Sequence, residues 1–418
     1  LTAGAGIEAQ QAAVALEAAN LTLAAGAQVG RADRWNDAIA LNVDTLDLTT
    51  GLGTSVVNAK ELTITQLSAV SAGGEAVVVR TLAGDLIIDG TVSVLADGNL
   101  LLAGANDLRV LADGAVSTET GALTLQAGSA ISLGANVDIN TTGGDIDLQA
   151  LNGDLNMVFS SSISSLGGQI RLASSADINL AQVDASGGAG TSTIVTLAGG
   201  AITQALTNSA LVNITADQWL AQAGTGIGTL AKAIRSNVDL LSAHTTAGHI
   251  VIENTGDLTI GAIRDLQISR VTETGVVVND WVDDAAGVAT DSGRINITTT
   301  GDLTLDSSAV LDGGRSIDAA GQTVVLTVGG DLVRKGAQER VAIVAGDLTI
   351  DATGTIDALT IAADGLTLST AGGVDILDVK GSGDLVDGLE VNSLTAGGDI
   401  TVRAQGDLIV DQVLTTAR

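Results

Sequence analysis

Gly248 to Ile260 reads G-H-I-V-I-E-N-T-G-D-L-T-I. The phrase is a glycine, an apolar pair spaced by two, a few small residues, then Gly-Asp-Leu and another apolar pair. Moved forward by 45 residues it becomes Gly293 to Leu305, G-R-I-N-I-T-T-T-G-D-L-T-L. Moved by 150 it becomes Gly398 to Val410, G-D-I-T-V-R-A-Q-G-D-L-I-V, and 80 residues earlier Gly168 to Leu180 reads G-Q-I-R-L-A-S-S-A-D-I-N-L. The apolar positions survive all four copies without a gap. Alternation in segments this short reads as strand. Each strand is too small to bury its own apolar face, so the repeat predicts stacked coils around one continuous core. The predicted fold is all-β: a parallel β-solenoid running over residues 1–418 as one rod.

The same alternation, bounded by Gly, Asp and Asn, recurs at Leu86–Ile88, Leu100–Leu102, Leu108–Val110, Leu123–Leu125, Ile146–Leu148, Leu303–Leu305, Leu348–Ile350 and Leu366–Leu368. Strand starts often lie 8 residues apart, as at Leu100 and Leu108 or Ile250 and Leu258. Two or three such strands per coil give roughly 16–25 residues per turn. Roughly twenty coils stacked at about 4.8 Å would make a rod on the order of 100 Å.

Composition agrees. The 418 residues include 53 Gly and are 45% hydrophobic, with a mean hydropathy of +0.41, which excludes a disordered chain. Aromatic residues are 1%: Trp35, Trp219, Trp281 and Phe159. The core must therefore be Val, Ile, Leu and Ala, which suits a narrow, regular interior. Proline, which removes a donor from the middle of a sheet, is absent. Cysteine is absent too, so there is no disulfide framework or thiolate metal site. A formal charge of −30, from 48 acidic and 18 basic residues, argues against nucleic acid and anionic membrane surfaces as partners. No apolar run is long enough for a transmembrane helix. The chain opens on neither Met nor a leader pattern, so any signal peptide is expected to have been removed or to lie outside this piece. Because the pattern is still running at Val410, the sequence reads as a segment of a longer protein.

A longer repeat overlies the short one. Ala38-Ile39, Asn42-Val43-Asp44 and Leu62-Thr63-Ile64 recur as Ala233-Ile234, Asn237-Val238-Asp239 and Leu258-Thr259-Ile260, at offsets of 195, 195 and 196. One residue has slipped in between, and duplication of a unit of several coils explains the pattern. Three stretches, near 30–37, 206–233 and 271–292, fit the alternation poorly and are expected to be wide coils or side loops. Ile7 to Ala19, rich in Ala, Gln and Glu, has the composition of a helix.

The strings Asn237-Val238-Asp239-Leu240-Leu241-Ser242-Ala243 and Gly248 to Ile260 resemble repeats of filamentous-haemagglutinin-like exoproteins and adhesins, very large secreted surface proteins of bacteria. The resemblance implies a right-handed parallel β-helix at the cell surface, serving adhesion, biofilm cohesion or presentation of a distal domain. It covers most of the chain. No counterpart of that family's N-terminal secretion domain or of a distal toxin module is present, so neither export route nor tip activity carries over.

Gly-Asp-Leu or Gly-Asp-Ile triplets place acids at Asp85, Asp145, Asp154, Asp257, Asp302, Asp331, Asp347, Asp384, Asp399 and Asp407. In the structural reading, glycine takes a positive-φ corner and the carboxylate bonds the backbone of its own turn. In the alternative, acids on equivalent corners of adjacent coils share Ca²⁺, a hard cation suited to oxygen ligands. The calcium-binding nonapeptide G-G-x-G-x-D-x-U-x is missing; Gly143-Gly144-Asp145-Ile146-Asp147-Leu148 comes nearest. His244 and His249, the only histidines, lack a third ligand nearby and read as surface positions. Gly224 to Gly228 with Lys232 suggests a phosphate loop but lacks its ending and setting, so a turn is expected.

Catalysis of the pectate-lyase type needs a groove lined by aromatics with Lys or Arg beside calcium-binding Asp. Here Lys60, Lys232, Lys335 and Lys380 are widely spread, and two histidines give no convincing Ser-His-Asp set. Trp35, Trp219 and Trp281 are expected to seal loops against the core rather than to form a sugar platform. No catalytic or cofactor residue is assigned. The expected function is mechanical: a stiff extracellular spacer or filament that associates laterally or end to end, with surface glycans or proteins as further partners. A stalk for a toxin-delivery exoprotein is the alternative, and a polysaccharide lyase a more distant one.

Overall fold

The computed structural model describes residues 1–8, 16–30, 38–71, 73–208, 210–308, 315–319, 321–336, 340–379 and 388–415. Trp35, Lys380, Asp384 and nearly all of the stretch 30–37 lie outside the described residues. Two compact units emerge. Unit 1 is Leu1–Gly200, Ala205–Asn213 and Gln267–Val282; unit 2 is Ala201–Gln204, Ile214–Leu266 and Asp283–Arg418.

Each unit is a parallel β-helix. In unit 1 every regular coil contributes three strands, and each strand pairs in parallel with its counterpart one coil away. The strands Asn99–Gly104, Leu123–Ala127, Ile146–Ala150 and Ile170–Ser174 form one ladder, with Leu100, Leu123, Ile146 and Ile170 in register. Leu108, Ile131, Leu155 and Ile178 are in register in the second. Val92, Val116, Ile139 and Ile163 are in register in the third. The coil is therefore three-sided and 23 or 24 residues long here, at the upper end of the range expected from the sequence. All twelve of these side chains are fully buried. Each contributes about 1.5–3 kcal/mol of transfer free energy.

Unit 2 repeats the scheme. Ile250, Ile295, Val324, Leu348 and Leu366 stack in one ladder. Leu258, Leu303, Leu332 and Ile356 stack in another, and Ala243, Val288, Ile317 and Ile343 in a third. Ile250 and Ile295 are direct neighbours although 45 residues apart, so the shift first seen in the sequence is a single coil that carries an insertion.

The longer repeat has a structural counterpart. Asn58 and Asn254, 196 residues apart, are both buried. Each accepts from the backbone N–H of Val43 or Val238 at 3.0 Å and donates back to the same residue's carbonyl at 3.1 Å. The slipped residue is located too: the coil from Ile39 to Val56 has 17 residues, and its counterpart from Ile234 to Ile252 has 18.

Among the described residues there is no helix, and so none long and apolar enough to cross a membrane. Of the helix expected over Ile7 to Ala19, residues 9–15 lie outside the described residues, and the described ends are not helical. Ile7 bridges Val29, and Leu16–Ala25 is a strand paired with Ile39–Thr50. A ready-made ladder partner outweighs the helix preference of alanine. Within 206–233, Ile214–Thr215, Gln218–Ala223 and Gly226–Ile227 are strands of unit 2.

Glycine is fixed at one corner by close approach. A Cβ on Gly121 would stand 2.0 Å from the carbonyl oxygen of Gly98, one on Gly144 2.0 Å from that of Gly121, and one on Gly168 2.2 Å from that of Gly144. No side chain fits between coils there. Gly144→Ala is expected to cost about 1–3 kcal/mol and lower the thermal midpoint followed by circular dichroism. Gly143→Ala, where a Cβ meets nothing within 4 Å, should leave it unchanged.

Candidate functional site

Six of the corner acids bond the next coil rather than their own turns. Asp85, Asp145, Asp154, Asp257, Asp302 and Asp331 each accept, through Oδ1, the backbone N–H of the residue in the same place one coil later. These residues are Asp107, Gln169, Asp177, Asp302, Asp331 and Thr355, at 2.5–3.2 Å. Two of their glycines are explained by the same contact. A Cβ on Gly301 would lie 2.1 Å from Oδ1 of Asp257, and one on Gly330 2.0 Å from Oδ1 of Asp302. The carboxylate of one coil occupies the space that a side chain on the next would need. Positive φ, the reason expected from the sequence, holds at Gly84 and Gly256, at +74° and +89°, while Gly144, Gly301 and Gly330 adopt ordinary backbone angles. Gly-Asp is thus a unit of contact between coils.

His249 does the work of a corner acid: its Nδ1 accepts the N–H of Arg294 at 3.0 Å. His244 is about half exposed, with Nε2 3.9 Å from Asp291. Among the described residues no three His, Asp or Glu side chains gather where they could hold a metal ion. Gly226–Ile227 is a short strand, and Thr229 to Lys232 closes a tight turn through reciprocal backbone bonds of 2.8 and 3.0 Å. Lys60 pairs with Asp44 and Lys335 with Asp306.

A second feature gives unit 1 an unusual face. Val78, Leu101, Thr124, Asp147 and Arg171 occupy one register position in five successive coils. Their neighbours Leu100 and Leu102 point inward, so this row points outward. Yet Val78 and Asp147 are fully buried, and Arg171 is 8% exposed. The cover is an antiparallel hairpin, Gln267–Val271 paired with Val277–Trp281. Val271 joins Val78, Leu101 and Ala103 in an apolar cluster, and its N–H donates to Thr124 Oγ1 at 2.9 Å. The N–H of Ser269 donates to the free oxygen of Asp145 at 2.7 Å. Arg80 pairs with Glu273 near the hairpin tip.

The ionic centre of this clamp is Arg171. It holds Asp147 with two bonds of 2.7 and 2.9 Å and reaches Asp280 on the hairpin at 3.1 Å, while Arg270 meets Asp280 at 2.8 Å. Burial pushes the Asp147 carboxyl above its ordinary value, against the hydrogen bonds and charge of Arg171. Removing one partner of such a buried pair typically costs about 3–5 kcal/mol. Asp280 is held below the ordinary value, chiefly by its bond from Arg270, with burial opposing and Arg171 adding. A carboxyl so lowered stabilises the fold above its ordinary value and loses that contribution as pH falls through the lowered one. The hairpin's side of the clamp therefore persists at neutral pH. Asp147 runs the other way, since burial penalises its charged form.

The expected loop over 271–292 is thus this hairpin followed by a return to the coil at Val288–Thr290. Leu266-Gln267-Ile268 alternates just as a coil strand does, which hid the start of its first strand. Trp219 is buried in the strand Gln218–Ala223, beside Leu241 of the next coil. Trp281, expected to seal a loop, is instead 66% exposed.

The fold defines a parallel β-solenoid protein. No protein-family model, no curated protein and no solved structure matches the chain.

Two outcomes follow from these contacts. Asp280→Asn should raise hydrogen exchange at the Ser269 and Val271 amides at neutral pH by about tenfold or more, the scale of a charged hydrogen bond. The amides of Leu123–Ala127 should stay protected. Since the corner acids already have N–H donors, chelation of divalent cations should leave the melting temperature unchanged; a drop would mean that cations hold the corners.

Proposed function

We propose that the chain is a structural and adhesive repeat region of a bacterial cell-surface or secreted filamentous protein. It acts as a stiff spacer of stacked coils that mediates adhesion or cohesion and carries no catalysis of its own. The observation that carries the reading is the ladder of corner acids. Six carboxylates bond from coil to coil, so the acids serve stacking rather than converging on a pocket. Each added coil reproduces the same contacts, and length grows with coil number.

The resemblance of Gly248 to Ile260 to filamentous-haemagglutinin-like repeats supports the same reading and with it an extracellular location. Net charge of −30 favours solubility at the cell exterior and keeps the ladders from binding polyanions. Self-association, laterally or end to end, belongs to the proposal. Electron microscopy of the purified chain tests it: stiff rods that align or join are expected. Separate globules on tethers would overturn the spacer, and singly dispersed rods would remove the self-association.

A further inference from the structure

Pairing in the hairpin sets Gln267 opposite Trp281 and Ser269 opposite Asn279. Residues opposed in an antiparallel pair share a side, and their chain neighbours take the other. The other side carries Ile268, fully buried, and Asp280, bonded to Arg171; that side faces the coils. At the Trp281 end of the pair Gln267, Ser269, Asn279 and Trp281 therefore face outward. Val277 continues that exposed side toward the tip, while its partner Val271 turns in to the coil cluster of Val78 and Leu101. Ser269 Oγ and Asn279 Oδ1 lie 3.3 Å apart beside the exposed indole.

This side is exceptional for the chain. With three tryptophans and one phenylalanine in 418 residues, an indole left 66% exposed gives up burial that Trp219 takes in full. None of the four outward side chains is charged, on a protein of net charge −30. An indole flanked by two amides and a hydroxyl presents a flat apolar face with a hydrogen-bonding rim. That matches a pyranose, whose C–H face is apolar and whose edge is hydroxyl.

We propose that the outward side of the hairpin Gln267–Trp281 is a binding platform for a neutral polysaccharide. Trp281 stacks on a sugar ring, and the amides of Gln267 and Asn279 bond its hydroxyls. An acidic polymer is opposed by the net charge and by Asp283 and Asp284 just beyond the indole. The clamp makes the platform effective, because Arg171, Thr124 and Asp145 hold the hairpin's backbone and inner side before any ligand arrives. The inference deepens the adhesive part of the proposed function, and it is read by a separate measurement.

Affinity electrophoresis through gels containing galactomannan, mannan or dextran tests it, with alginate as the acidic control. The intact chain is expected to be retarded in at least one neutral gel and not in alginate. Trp281→Ala should weaken that retardation about tenfold, with Ser269 and Val271 amide protection retained. The paired Gln267→Ala and Asn279→Ala substitutions leave the inner side untouched and should weaken it as well, so a disturbed Trp281 variant still leaves a decisive comparison. No retardation in any neutral gel, retardation in alginate alone, or variants that run like the parent would overturn the platform. Rods under the microscope with no retardation would retain the spacer and reject the platform.

Discussion

Parallel pairing of each strand with its own counterpart one coil away is the constraint on which the rest depends. It places strands about 4.8 Å apart and makes the nearest neighbour of every side chain the residue in the same position of the next coil. Such a neighbour is usually of the same kind. For Leu100, Leu123, Ile146 and Ile170 this builds a dry core. For corner acids it brings like charges together, and the fold answers with backbone donors: Oδ1 of Asp257, Asp302 and Asp331 takes an N–H from the coil beyond, and Gly301, Gly330 and Gly354 there clear the space. Spacing also explains the glycine corner at Gly98, Gly121, Gly144 and Gly168, where carbonyl oxygen stands where a Cβ would be.

Buried polar groups follow the same logic. Asn58 and Asn254 satisfy both backbone groups of Val43 and Val238 where a 17- or 18-residue coil tightens. A buried amide is tolerated only when its donors and acceptor are met. The same side chain solves the same local shortage in both units, which is what a duplicated group of coils predicts.

The clamp obeys different physics. Stacking couples only adjacent coils, whereas the hairpin Gln267–Trp281 touches coils from Arg80 to Arg171. It covers a row in which apolar, hydroxyl, acidic and basic side chains follow one another. Its ion pairs gain strength from exclusion of water and would be costly if half-broken. A clamp reaching across several coils converts local ladders into one cooperative patch and holds the outward hairpin side in a fixed posture.

The solenoid, its apolar rows and the duplicated block were legible because period-two alternation and corner Gly-Asp are local signals repeated many times. The clamp left one signal that the alternation of Leu100 and Leu102 masked: Val77–Val79 and Leu100–Leu102 are unbroken apolar triplets, the mark of strands buried on both faces. The sequence by itself determined that these residues stack in coils and which of them face the core, since that follows from spacing along the chain. Only the tertiary structure decided that corner carboxylates bond across coils, that Arg171 meets Asp280 109 residues away, and that Trp281 stays in solvent. Those outcomes depend on which distant segments share a surface, and nothing in the local period encodes that distance.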